Sequence, residues 1–379
     1  MTASQLDCVF LGLTITSTWG NGHATTYRAL LKEFAARGHR VTFLERNVPW
    51  YSSNREFDQS PYCEIGLYSN STELRDRYAN LVRHADLVVV GSYVPEGIAV
   101  GEWVLSTAKN VRAFYDIDTP VTLANLQGGK CDYISAHLYP QYDLYLSFTG
   151  GPTLTYIEEE LGSPCARALY CSVDPSLYFP RPQPQEWDMA YLGTYAPDRQ
   201  PALGRFLLEV ARAHPEGAFA VAGPQYPDEI AWPANVQRIH HLPAHEHVSF
   251  YNSQKFTLNI TRQDMVKAGY SPSVRLFEAA ACGVPIITDE WPGLDTIFAP
   301  GSEILPVRRT ADVSSYLQIP SEQRLQVAEK ARERTLRFHT AAVRAQELER
   351  HVFASLEHLS RSHQKSKTAA HCSKTTAMI

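Results

Sequence analysis

Gly269-Tyr270-Ser271-Pro272-Ser273-Val274-Arg275-Leu276-Phe277-Glu278-Ala279-Ala280-Ala281-Cys282-Gly283-Val284-Pro285-Ile286-Ile287-Thr288 reads as a loop, a helix, a tight turn and a buried strand. Ser271 with Pro272 behind it has the residue types of an N-cap and a first helical position. Ala279, Ala280 and Ala281 let the helix pack closely, and Gly283 stops it before the apolar strand. The helix start offers free amides and the positive end of a dipole, a setting for a diphosphate held by Ser271, Pro272, Ser273 and Val274. Arg275 and Glu278 lie three apart on one face. A mid-helix Glu278 beside Phe277 and three alanines is costly to bury without hydrogen-bonding partners, which ribose hydroxyls would supply. The other reading is an Arg275–Glu278 ion pair on a solvated face. Both stand at this point.

Upstream, strand and helix signals alternate. Met189-Ala190-Tyr191-Leu192-Gly193 and Phe219-Ala220-Val221-Ala222-Gly223 are strands, separated by a helix from Ala202 to Ala213 with Leu203, Phe206, Leu207, Val210 and Ala211 on one stripe. Before them, Tyr170 to Pro184 is too rich in Pro and turn residues for a helix or central strand, so it reads as a linker. The first half repeats the alternation. Strands are expected at Cys8–Leu13, Val41–Leu44, Leu87–Val90, Val111–Tyr115 and Leu144–Phe148, with Tyr27, Leu30, Leu31 and Phe34 on one helix face ended by Gly38. Such βαβ units build parallel sheets, which bind ligands along their carboxyl edges.

Composition narrows the function. The 379 residues are 44% hydrophobic, enough for two or three cores, and 35 Lys and Arg against 40 Asp and Glu give a net charge of -5. Without a dense basic block, general nucleic-acid binding is not expected. No apolar run approaches the ~20 residues of a membrane span, and the first ten residues lack the basic start of a secretory signal. Seven scattered cysteines with no CxxC pair suit reduced thiols in the cytoplasm. His240, His241, His245 and His247 read as a solvated loop, so no metal site is expected.

Several residues carry possible chemistry in the first half. Gly20-x-Gly22-x-x-Thr25, with Glu45 closing the second strand, imitates a dinucleotide fingerprint whose third Gly is missing. It keeps open an NAD(P) or flavin oxidoreductase as the alternative function. Asp116 and Asp118 follow a strand as a DxD. They read as a metal clamp, as cleft residues, or as caps of a helix starting near Pro120. His23 stands where the Gly loop meets a helix start, as a base or as a hydrogen-bonding surface residue. Trp19, Trp50, Tyr51 and Tyr93 are candidates to stack on sugar rings or to pack in the core.

Taken together, the chain resembles the GT-B glycosyltransferases of the group-1 type and their CgeB-like relatives. Cys171-Ser172-Val173-Asp174-Pro175 with Phe179-Pro180 is similar to the family's interdomain segment. Tyr191-Leu192-Gly193 and Arg199 resemble its donor-binding strand and loop, and Asn235-Val236 to Leu242-Pro243 resembles the segment bordering the nucleotide base. Phe277 to Pro285 is similar to E-A-x-A-C-G-x-P, whose Glu binds the donor ribose. The acid that many retaining members carry eight residues before it is replaced by Tyr270.

The resemblance implies an α/β GT-B fold: two Rossmann-like doubly wound domains facing across a cleft, with a C-terminal helix crossing back. The expected boundaries are 1–170 for an acceptor domain, 171–187 for a linker and 188–320 for a nucleotide-sugar domain. Returning helices over 321–359, including Leu325, Ala328, Phe338, Val343, Leu348 and Phe353, and a disordered tail over 360–379 follow. The implied reaction moves a sugar from a nucleotide-diphosphate sugar, such as a UDP- or GDP-sugar, to a glycan, lipid-linked or small-molecule acceptor. It needs no cofactor and no metal. A catalytically silent nucleotide-sugar-binding relative is a further alternative. Gly22, Gly193, Thr194, His241, Leu242, Tyr270, Arg275 and Glu278 would bind substrates; Arg199 and Arg262 would stabilise the leaving diphosphate; His23, Asp116 and Asp118 are the candidate bases.

Overall fold

The computed structural model describes residues 5–19 and 22–376, with side chains through Ser362 and at Gln364. The chain divides into two units. The first holds residues 1–148, 152–169 and 344–379; the second holds 149–151 and 170–343.

In the first unit, β1 (Asp7–Gly12), β2 (Arg40–Arg46), β3 (Glu64–Tyr68), β4 (Leu87–Gly91), β5 (Val111–Asp116), β6 (Leu144–Ser147) and β7 (Ala166–Ala168) form one sheet in the order β3-β2-β1-β4-β5-β6-β7. Every pairing is parallel. Alternate side chains of β1 show why the sheet is covered twice: Cys8 and Phe10 join one buried cluster, Val9 and Leu11 another. The first cluster also takes in Ala345, Leu348 and Val352 of the last helix, Ala341–Thr376. Arg37 and His39 both reach Glu349 of that helix, His39 at 3.2 Å.

The second unit repeats the design with β8 (Trp187–Leu192), β9 (Phe219–Ala222), β10 (Val236–Ile239), β11 (Gln254–Asn259), β12 (Ile286–Asp289) and β13 (Leu305–Val307), ordered β10-β9-β8-β11-β12-β13 and parallel throughout. In each sheet the strand order reverses beside the first strand of the unit, between β1 and β4 and between β8 and β11. Loops leaving those strands diverge there and open a binding crevice.

The C-terminal region is helical. The returning segment is two helices, Ser321–Phe338 and Ala341–Thr376, broken at His339-Thr340. Leu325 and Phe338 are exposed. The region 360–379, expected to be disordered, continues the last helix as far as Thr376, because no Pro or Gly interrupts it and Ala, Lys and Gln favour helix. Among the described residues, no helix is long and apolar enough to cross a membrane.

Candidate functional site

The carboxyl edge of the second sheet concentrates positive charge. Gly193 follows β8, and its carbonyl lies so close to Gly223 (φ +141°) that any Cβ at Gly223 would collide with it. The Tyr226 hydroxyl donates to the Gly193 carbonyl at 3.0 Å, and the Arg238 guanidinium lies 4.3 Å from the Tyr226 ring centroid and 4.7 Å from that of Trp232. Beyond the exposed Thr194, the chain brings in Arg199, only 8% exposed, whose Nη2 donates to the Thr194 carbonyl at 2.7 Å. Its Nε is buried with no partner among the described residues. Burial pulls the Arg199 pKa down, and the charges of Arg275 and Arg262 push it the same way. No acid within ion-pair distance of these three arginines is found among the described residues. Such a group of guanidiniums calls for an anion.

Arg262 is exposed and starts the short helix Gln263–Ala268. After it, Tyr270 adopts a left-handed backbone (φ 47°), with its ring packed where Gly293 and Gly151 lack side chains. Its amide donates to the Pro292 carbonyl at 2.6 Å, and its carbonyl accepts from Gly150 at 2.9 Å. The helix Val274–Ala281 begins two residues later than expected. Ser273 is its N-cap, accepting from the Arg275 amide at 3.4 Å. Ser271 is instead buried and accepts from the Thr149 hydroxyl at 2.9 Å, while the Pro272 carbonyl accepts from the Cys171 thiol at 3.2 Å.

Glu278 is 6% exposed and accepts from the Tyr251 hydroxyl at 3.3 Å. No ion pair joins it to Arg275 among the described residues, so the solvated-face reading falls. His247, expected in a solvated loop, starts the helix His247–Asn252 and lies half-buried near Glu278. Its Nδ1 faces the Tyr178 hydroxyl at 3.4 Å and its Nε2 the Leu242 carbonyl at 3.3 Å. Burial lowers its pKa, against the raising effect of Glu278. His241 is exposed in the loop before it. Sequence reading did not single out Tyr226 or Trp232, took His247 for part of a solvated loop, and reached Arg238 only through the segment from Asn235 to Pro243. Only the fold gathers these side chains.

The carboxyl edge of the first sheet is different in kind. Glu45, expected to mimic a ribose-binding acid, is fully buried. Its carboxylate accepts from the amides of Ile15 and Thr16 at 2.7 and 3.0 Å and from the Thr16 hydroxyl at 2.7 Å. It fastens the loop after β1 and, fully buried, is out of a cofactor's reach, which removes the acid from the fingerprint. Gly20 of that fingerprint lies outside the described residues. Gly22 is exposed and precedes the helix His23–Ala36.

Asp116 is also fully buried, correcting its reading as a base or metal ligand. It accepts from Tyr145 Oη at 2.6 Å, Thr122 Oγ1 at 2.8 Å and the Asp118 amide at 3.1 Å. Burial outweighs these bonds and raises its pKa to about 6. Asp118 precedes the helix Thr119–Gln127 without capping it through its side chain, and accepts from Tyr93 Oη at 3.0 Å. The His23 ring meets Tyr93 edge-on at 5.2 Å, and burial lowers the His23 pKa to about 4. His23, Tyr93 and Asp118 are therefore brought together where β1 and β4 diverge, whereas Asp116 is set into the core. No group of three or more His, Cys, Asp or Glu able to hold a metal ion occurs among the described residues.

Residues 199–350 match the model of a family described as glycosyl transferase-like. Among solved structures, sucrose-phosphate synthase from Thermosynechococcus elongatus is similar at 14% identity and TM-score 0.66, over 93% of this chain and 100% of that one. HepE from Anabaena, solved with UDP-glucose, is similar at 11% identity and TM-score 0.67, over 93% of this chain and 100% of its own. An alpha-glucosyltransferase solved with UDP-glucose and DNA is similar at 14% identity and TM-score 0.68, over 91% and 98%. No curated protein matches the chain by sequence. At such identities the structural likeness speaks for the fold.

Proposed function

We propose that this chain is a GT-B glycosyltransferase of the group-1 type, which transfers a sugar from a UDP-sugar to an acceptor hydroxyl without a metal ion. The observation that carries the donor site is Arg199, a buried guanidinium with an unsatisfied Nε, beside Arg262 and Arg275, with no acid in ion-pair distance of the three among the described residues. A diphosphate supplies the missing anion. The amides at the start of the Val274–Ala281 helix add to that field, and Glu278, four residues further along it, offers its carboxylate to the ribose hydroxyls. UDP as the nucleotide is supported by the similar proteins solved with UDP or UDP-glucose.

In the reaction, the bond from the sugar's anomeric carbon to the β-phosphate oxygen breaks and its electron pair leaves with UDP. The acceptor oxygen forms the new bond and gives up its proton. Negative charge grows on the leaving oxygen, which is where the arginines stabilise most. If the configuration inverts, His23 is neutral at pH 7 and positioned by Tyr93 to take the proton. If it is retained, the departing phosphate takes the proton, and His23 and Asp118 position the acceptor. Tyr270, clamped by its backbone bonds before the helix, is assigned to the donor sugar. A cytoplasmic setting is proposed because Cys8, Cys63, Cys131, Cys165 and Cys282 form no disulfide among the described residues.

Turnover of UDP-sugars by the wild type and by Arg199→Ala tests the reading. A large loss of turnover, with the unfolding temperature kept, is expected. Equal turnover in the two proteins would refute it.

A further inference from the structure

The loops at the carboxyl ends of β1, β2, β4 and β5 share an unusual charge pattern. Over residues 13–22, 47–63, 92–96 and 117–118 the only Lys or Arg is Arg55, against Glu56, Asp58, Glu96 and Asp118. Arg55 is itself committed, donating to Asn47 at 2.7 Å and Asp58 at 3.2 Å. The cations that border these loops are committed as well. Arg46 pairs with Glu96 at 2.8 Å, and Arg28 donates to Glu56 at 2.7 Å and to the Ile15 carbonyl at 2.8 Å. A polyanionic or phosphorylated ligand would find no unspent positive charge in these loops.

Large aromatic surface is available instead. Trp19, in the loop after β1, is 50% exposed, and Trp50, in the short helix Pro49–Ser52 after β2, is 61% exposed. They are the two exposed tryptophans of the described residues. Both lie on the edge that carries His23, Tyr93 and Asp118. An indole face left in water costs free energy unless something covers it, and it pairs well with the C–H face of a pyranose ring.

We infer that the acceptor is an uncharged saccharide seated on these loops, with Trp19 and Trp50 as stacking faces and its reacting hydroxyl toward His23 and Asp118. This inference rests on the glycosyltransferase reading and names the acceptor class for it. It also sets the chain apart from the similar alpha-glucosyltransferase that was solved with DNA.

The test is calorimetric titration of the full chain, saturated with UDP, with maltopentaose, cellopentaose and chitopentaose, and with heparin and a short DNA duplex at low ionic strength. Saturable binding of at least one neutral oligosaccharide is expected. Trp19→Ala and Trp50→Ala should each weaken it about tenfold, Trp50→Phe should retain most of it, and heparin and DNA should not bind. The inference is overturned if none of the neutral sugars binds, if the alanine variants bind as the wild type does, or if heparin or DNA binds with a steep salt dependence. Titration with UDP alone separates the two layers. UDP binding without saccharide binding removes this inference and leaves the donor site standing, whereas absence of UDP binding removes the donor site.

Discussion

The two units share one architecture and use it in opposite ways. Each is a parallel sheet whose strand order reverses beside its first strand, and each places an acidic side chain near the crevice so formed. In the first unit that acid is Glu45, spent on two amides and a hydroxyl of its own loop. In the second it is Glu278, buried on a helix beside the hydroxyls of Tyr251 and Tyr178, with an arginine cluster upstream. The first edge is poor in cations and rich in aromatic rings; the second gathers guanidiniums. Topology fixes where a ligand binds, and the loops decide what kind of ligand it is.

The largest effect expected from this contrast is on turnover. Arg199→Ala should lower kcat by about 10²–10³, the range typical of losing a charge aimed at a leaving group. A loss below tenfold would show that the arginines do not face the reacting diphosphate. Next in size is a stability effect confined to the first unit. Glu45→Ala leaves two amides and a hydroxyl buried without an acceptor, a cost of about 2–4 kcal/mol in urea unfolding. UDP affinity should stay at the wild-type value. Weakened UDP binding by the folded variant would erase the distinction between the two acids.

Smaller effects follow from protonation. His23 titrates at about 4 in the folded chain, below its unfolded value of about 6.5, so between those values the unfolded state binds more protons. Its contribution to stability falls as the pH drops. Asp116 titrates at about 6 when folded, above its ordinary 3.8, so over that window the folded state binds more protons and acidification favours it. Asp116→Asn should therefore lose more unfolding temperature than the wild type between pH 6 and pH 4, and His23→Asn less, by about a few degrees each. Thermal scans across that range check both signs. Identical pH slopes in all three proteins would contradict the burial of these groups. The smallest effect is none at all: EDTA should leave turnover intact. A strict Mg²⁺ or Mn²⁺ requirement would return Asp118 to the role of a metal ligand.

Much of this was legible before any coordinates. Apolar runs broken by amphipathic segments mark β1, β2, β4, β5 and β6 of the first sheet and β8, β9 and β12 of the second, because buried parallel strands are apolar and their connections are helical, whereas β3, β7, β10, β11 and β13 went unread. The segment from Ser271 to Thr288 gave away helix, turn and strand in order. Local reading failed where two residues compete for one role. Ser271 and Ser273 are equally good caps, and the hydroxyl of Thr149, far away in sequence, claims the first. It failed again for Glu45 and Asp116, whose spacing fits a ligand site while the fold buries them completely among partners such as Thr16, Tyr145 and Thr122. The cluster of Tyr226 and Trp232 around Arg238 was not legible beyond the segment that holds Arg238, because the three side chains meet only once β9 and β10 pair.

The donor site rests on one acid with a vacant hydrogen-bonding capacity in a buried place. Calorimetric titration of UDP into the wild type and Glu278→Ala at neutral pH tests it most directly. The expected result is affinity weakened about 10–100-fold in a variant that unfolds at nearly the wild-type temperature, as for loss of hydrogen bonds to a charged group. Equal affinity in the two proteins would contradict it.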